Sequence, residues 1–165
     1  MEARKLSKPQ PLPFELSFRI RHPSMDPAEL SRELGLTATH SFRAGEPRRP
    51  GSDSMSLHGE SYWLGTLDPT SWPADAWFSG YSNLDLAAKE IRKAEALSLG
   101  WALSLSARRL LRVKALLERI RSDGGQVSLL VAFSAAAVES FSLASEVSRL
   151  FGELGVTIEF DLISD

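Results

Sequence analysis

Three stretches of the chain alternate apolar and polar residues with a period of two, and this pattern limits the fold more than any other feature. They are FELSFRIRH (14–22), QVSLLVAF (126–133) and VTIEFDLI (156–163). Successive side chains of a β-strand point to opposite faces, so such alternation is typical of strands with one buried face. ESYWLGTL (60–67) is a fourth strand candidate. The predicted inner face of the sheet consists of Phe14, Leu16, Phe18, Ile20, Val127, Leu129, Val131, Ile158 and Phe160.

Helical segments separate these strands. Asp26 is a predicted N-cap, Pro27 then occupies the first helical position, and Gly35 ends this helix. SLASEVSRLFGELG (142–155) is a second amphipathic helix. Residues 84–121 are predicted to be mainly helical, although 97–105 also alternate as a strand would, and the propensities of the flanking residues favour a helix there.

The two ends of the chain resemble each other, because AELSRELGLT at the front matches SEVSRLFGELGVT at the back. This similarity predicts two strand–helix–strand halves in an α+β, two-layer, ferredoxin-like fold with a mixed four-stranded sheet and helices on one face. In that order the first and last strands are antiparallel neighbours, which would set Arg19 and Arg21 opposite Glu159 and Asp161.

The predicted organisation is a flexible N-terminal arm over residues 1–13 and a single domain over 14–165. Residues 37–59 are polar and rich in Gly, Pro and Ser, which indicates a long loop. An aromatic-rich insertion at about 68–83 contains Trp72 and Trp77. It is interpreted either as a lid on the core or as a patch that binds a partner.

The composition of the 165 residues indicates a soluble globular protein with one core. The net charge of −2 conceals blocks of +3 (1–50), −5 (51–90), +5 (91–123) and −5 (124–165), which we expect to neutralise one another across the fold. A nucleic-acid ligand is not expected, because there is no overall basic excess. No membrane span or signal peptide is expected either, which predicts a cytoplasmic protein.

The sequence offers few groups for chemistry. It has no cysteine, no phosphate-binding loop, no dinucleotide fingerprint and no nucleophile elbow. The three histidines, His22, His40 and His58, are not at metal-ligand spacing on a predicted helix. We therefore expect neither a metal site nor a cofactor.

The stretch GLTATHSFRAGEPRR (35–49) is the most distinctive loop. Its histidine and arginines would form a positive edge for a carboxylate or phosphate, or else a solvated loop partly neutralised by Glu46. His40 has a second interpretation, in which its ring bonds backbone groups and holds the loop in shape. The predicted binding residues, together with the two insertion tryptophans, are His40, Arg43, Arg48, Arg49, Trp72 and Trp77.

Several short motifs resemble a family of small bacterial domains of unknown function. The resemblance covers most of residues 14–163, except for the aromatic insertion and parts of the middle. Its motifs fall on Leu34-Gly35, Thr39-His40, Gly45, Tyr62-Trp63, Gly124-Gly125, Gly155 and Asp161. Members of the family often have an aromatic residue two positions after that Asp, where this chain has Ile163. The resemblance implies a fold and a bacterial origin, but no activity.

Two function classes follow. The first is a non-catalytic domain that binds another protein, of which an immunity-type role against a toxin is one form by analogy of fold. The second is a small-molecule-binding protein or an enzyme that uses the His40/Arg43 loop. The sequence favours the first function class, a binding domain, over an enzyme. It is also compatible with a homodimer.

Overall fold

A computed structural model describes residues 14–48, 56–67, 99–134 and 142–163. This part of the chain forms five strands and four helices in an α+β arrangement. The elements in chain order are β1 (Phe14–His22), α1 (Pro27–Leu34), β2 (His40–Phe42), β3 (Ser61–Thr66), α2 (Leu99–Leu111), α3 (Lys114–Ser122), β4 (Gln126–Ser134), α4 (Ser145–Leu154) and β5 (Thr157–Ile163).

The strands form one open, mixed sheet in the order β2-β3-β1-β4-β5. Neighbouring strands are antiparallel except β4 and β5, which are parallel. The chain segment between β4 and β5 contains α4, as a parallel connection requires. The first described strand, β1, is therefore the central one of the five described strands.

This order corrects the ferredoxin-like prediction. Over the described residues the sheet has five strands and not four, because the predicted loop over 37–59 contains the short strand β2. The first and last strands are not neighbours, since β4 lies between them. One predicted charge pair nevertheless forms: Arg19 lies opposite Ser128 of β4, and its guanidinium extends past Ser128 to the Glu159 carboxylate at 2.5 Å.

The predicted inner face of the sheet is confirmed over its centre. Phe14, Leu16, Phe18 and Ile20 alternate as buried residues along β1, and they lie opposite Phe133, Val131, Leu129 and Val127 of β4. On β5 the prediction holds less well, because Ile158 is only partly buried and Phe160 remains 46% exposed.

Trp63 joins β3 to the helical layer. Its ring is fully buried, meets Phe18 edge to face at 6.3 Å, and donates from Nε1 to Ser31 Oγ of α1 at 2.9 Å. The ring lies directly over Gly65, where an added Cβ would be 2.3 Å from Cη2 of the indole. A glycine is therefore required at this position of the strand.

The described helices pack on the buried face of the sheet, which carries Phe18 and Trp63, and complete the core there. In α1 the Asp26 side chain accepts from Ala28 N, Pro27 starts the helix and Gly35 ends it with a φ of 63°, as predicted. The segment 99–105 is helical, so the helix interpretation is confirmed. The predicted long helix divides at Arg112–Val113 into α2 and α3. Residues of all four helices join the buried cluster.

Two predicted segments lie outside the described residues. They are the flexible arm over 1–13 and the aromatic insertion at about 68–83, so the choice between lid and patch stays a prediction.

Candidate functional site

The face of the sheet opposite the helices carries side chains that are exposed or half-buried, except for the buried Ser128. The exposed residues of β1 alternate with its buried ones, and the strand registers extend this alternation across all five strands. The side chains on this open face include His40, Phe42, Tyr62, Leu64, Thr66, Ser17, Arg19, Arg21, Ser128, Leu130, Glu159 and Asp161. The described helices leave this surface accessible.

Four aromatic rings gather at one end of the open face, on β2, on β3 and in the loop before β3. Phe42 lies between His58, stacked at a centroid distance of 3.6 Å, and Tyr62, stacked at 5.1 Å with an interplanar angle of 11°. His40 contacts the edges of Phe42 at 5.8 Å and Tyr62 at 5.7 Å. We call these four residues the aromatic cluster. His40 is exposed and the other three are half-buried.

Backbone pairing places each ring. Phe42 and Tyr62 are directly opposite in the β2–β3 ladder, which brings their rings to one face. A second short ladder fixes His58: its N–H donates to Glu46 O at 2.9 Å, and its carbonyl accepts from Gly45 N at 2.8 Å. Gly45 has a φ of 82°, so the turn before this ladder uses the left-handed conformation that glycine adopts easily.

Two ion pairs lie on the open face, one beside the cluster and one that extends away from it to β5. Arg21, opposite Tyr62, donates from Nε and Nη2 to Glu60 Oε1 at 2.8 and 2.5 Å. Arg19 reaches Glu159, as described above. Exposed pairs of this kind contribute little to stability, typically about 0–1 kcal/mol. Their main consequence is that carboxylates hold both guanidinium groups on the open face, Arg21 next to Tyr62 and Arg19 toward β5.

Arg43 is held by carboxylates of the chain itself. Its guanidinium donates to both oxygens of Asp26, including a 3.1 Å bond from Nε to Oδ1, and its backbone N–H donates to Glu46 Oε2 at 2.9 Å. The N–H of Ala28 and the Arg43 guanidinium lower the pKa of Asp26 below its ordinary value, with the backbone bond as the larger cause. The predicted positive edge therefore has one of its arginines already bound to an anion.

The other predicted site residues do not form one cluster in the structure. Arg48 donates from Nε to the carbonyl of Leu57 at 3.2 Å and supports the loop that carries His58. The His40 ring contacts the rings of Phe42 and Tyr62, whereas one interpretation of the sequence has it bonding backbone groups. Arg49, Trp72 and Trp77 lie outside the described residues. A binding role for the six predicted residues stays a prediction, and among them His40 lies in the aromatic cluster.

His22 has a structural setting. Its ring is buried, and Nδ1 accepts from Ser24 N at 3.1 Å and Met25 N at 2.9 Å, which shapes the turn from β1 into α1. Because Nδ1 accepts, the proton of the neutral ring is on Nε2. Among the described residues Nε2 has no hydrogen-bond partner.

The side chains of the open face are suited to binding another molecule through apolar contacts and hydrogen bonds. Within the four described ranges, no three His, Asp or Glu side chains converge as metal ligands would. In the same part of the chain, none of the helices has the length and apolar character needed to span a bilayer. The rings and the fixed guanidinium groups offer apolar area and oriented donors.

Sequence reasoning missed most of the aromatic cluster. The sequence pattern predicts a loop at Phe42, because a three-residue strand gives no visible period. The sequence around His58 gives no signal that its ring stacks on Phe42. Tyr62 gave a usable signal, since it precedes the buried Trp63 and alternation places it on the opposite face of the strand.

Comparison with known proteins gives no relative from which to transfer a role. No family model, curated protein or solved structure matches the chain significantly. The fold and the candidate site therefore rest on the residues described above.

Proposed function

We propose that this chain is a non-catalytic protein-binding domain that docks its partner on the open face of the sheet, centred on the aromatic cluster. The observation that carries the proposal is the group of four rings on the face opposite the helices, beside the Arg21 guanidinium that Glu60 holds in place. Aromatic and arginine side chains are the residues that most often dominate binding energy at protein interfaces.

The fixed geometry of the cluster supports this proposal. Phe42 is stacked on both sides, and its neighbours are held by the backbone ladders, so binding immobilises few side chains. A pre-ordered surface has a smaller entropy cost on association. The ion pairs at Arg19 and Arg21 would form the polar border of such an interface.

The alternative, a small-molecule site built on His40 and Arg43, has weaker support. An anion that binds the Nε and Nη2 edge of the Arg43 guanidinium must displace Asp26, which already accepts from both of these atoms. The cost of breaking this bidentate bond lowers the affinity of the loop for a carboxylate or phosphate.

The proposal is tested by photo-crosslinking in the cells that produce the protein. A benzoylphenylalanine replaces His40 or Thr66, both exposed on the open face, and in a matched control it replaces Leu111, an exposed residue of α2. We expect both open-face positions to crosslink to the same discrete protein, identified by mass spectrometry, and the Leu111 position to yield little of that adduct.

Equal yields from Leu111, or no protein adduct from either open-face position, would contradict the proposal. A metabolite panel read by thermal shift covers the alternative. A ligand that stabilises the wild-type chain but not the Arg43→Ala variant would favour the small-molecule function.

A further inference from the structure

The last strand, β5, is one edge of the described sheet and carries an unusual concentration of exposed apolar side chains. Among the described residues the exposed large hydrophobics are Leu57, Leu111, Phe160 and Leu162, so two of the four lie on this one strand. Phe160 and Leu162 are two positions apart and hence share the helix-side face. Their exposed fractions are 46% and 58%.

The other face of β5 is acidic. Thr157, Glu159 and Asp161 alternate with the apolar residues and lie on the open face. Glu159 accepts from Arg19. Asp161 is exposed and, within the described part of the chain, forms no ion pair. The edge strand therefore has exposed apolar residues on its helix-side face. On its open face it has two acidic residues, of which Glu159 is paired with Arg19 and Asp161 has no ion pair among the described residues.

A second copy of the chain fits this edge poorly. In a twofold antiparallel pairing of β5 with itself, residues of the same face lie opposite each other. Registers centred on Glu159, Phe160 or Asp161 pair most of the strand, and each of them sets an acidic residue opposite another acidic residue. Like charges directly opposite in a ladder are destabilising.

We propose that β5 is a strand-addition site for an extended segment of a partner protein in which basic and apolar residues alternate. The added strand would bond the outer backbone groups of β5, place its apolar residues beside Phe160 and Leu162, and place its basic residues beside Glu159 and Asp161. Main-chain bonds provide affinity in such complexes, and the alternating side chains provide specificity. This site adjoins the proposed docking surface at Glu159 but lies at the opposite edge of the described sheet from the aromatic cluster, so neither proposal depends on the other.

The test uses labelled peptides and the full chain, with binding measured by fluorescence anisotropy. The probe is a Lys/Val alternating hexapeptide, compared with its Glu/Val counterpart and with the Lys/Val peptide N-methylated at every residue. We expect only the unmethylated basic peptide to bind, because methylation removes the ladder donors.

Two variants locate the peptide on β5. Asp161→Lys should weaken binding roughly two- to thirtyfold, because an attractive cross-strand pair becomes repulsive. Leu162→Ser should weaken it about fivefold through loss of apolar contact. Both residues are exposed, so the fold should survive either change.

Matched controls are Glu118→Lys, the same charge change on an exposed residue of α3, and Leu57→Ser, an apolar residue exposed to 51% on the far side of the sheet. Neither should change the affinity. Absence of binding, equal binding of the Glu/Val peptide, retained binding after N-methylation, or equal losses in variants and controls would each overturn the proposal.

Discussion

Replacing Gly65 with alanine tests whether Trp63 fixes β3 to the helical layer. The new Cβ would lie 2.3 Å from Cη2 and 2.9 Å from Cζ2 of the Trp63 ring, whereas ordinary contacts begin at 3.4 Å. The ring cannot yield easily, because it is fully buried against Phe18 and hydrogen-bonded to Ser31.

The magnitude follows from these contacts. Overpacking a well-filled core costs about 1–3 kcal/mol, and loss of the indole hydrogen bond adds about 0.5–1.5 kcal/mol if the ring tilts. We therefore expect Gly65→Ala to lower the free energy of unfolding by about 2–4 kcal/mol. For a domain of this size the melting temperature should fall by roughly 4–16 °C.

The assay is urea unfolding followed by far-ultraviolet circular dichroism. Gly59→Ala is the matched control, since an added Cβ there meets nothing within 4 Å. Its unfolding free energy should stay within about 0.5 kcal/mol of the wild type. In addition, Trp63→Phe should partly relieve the cost of Gly65→Ala in the double variant. A Gly65→Ala protein as stable as the wild type would refute the placement of the ring over β3.

Four further substitutions, in three tests, probe other parts of the fold. Phe18→Ala, at the centre of the sheet, should cost about 3–5 kcal/mol in urea unfolding, and a loss below about 1 kcal/mol would contradict its burial. Gly152 is an exposed residue inside α4, and a Cβ added there meets no atom within 4 Å, so Gly152→Ala should stabilise the protein by about 0.5–1 kcal/mol. Gly35 has a φ of 63°, so Gly35→Ala should destabilise the protein by about 1 kcal/mol. Thermal melts in which both variants change stability in the same direction would refute this contrast. The pKa of Asp26 is lower in the folded state than its ordinary 3.8, so the stability from its charged form is present above that pH and is lost as the pH falls through the folded value. In the Asp26→Asn variant the free energy of unfolding, measured by urea titration at pH values on either side of 3.8, should therefore fall less on acidification than in the wild type. An unchanged pH profile would contradict the contacts of Asp26 with Ala28 and Arg43.

Local patterns in the sequence predicted local structure well. The alternation in β1 identified its buried face, and Asp26, Pro27 and Gly35 marked both ends of α1, because caps and periodicity depend on neighbouring residues. The division between α2 and α3 was not predicted, since Arg112 and Val113 include no glycine or proline.

Features that depend on distant residues were not predictable in the same way. The sheet order places β4 between β1 and β5, and nothing local to any of these strands specifies that neighbour. Arg43 looked available within its own loop, but its partner Asp26 lies 17 residues earlier. The aromatic cluster depends on a β2–β3 pairing and a loop ladder that bring three separate segments together.

The most direct test of the proposed docking surface is calorimetric titration with the partner protein identified by crosslinking. Tyr62→Ala should weaken binding by about 2 kcal/mol or more, roughly thirtyfold, and His40→Ala should weaken it to a smaller extent. Leu111→Ala, on the helical side, should bind as the wild type does. If Tyr62→Ala, folded by circular dichroism, bound its partner with unchanged affinity, the open face of the sheet would not be the binding surface.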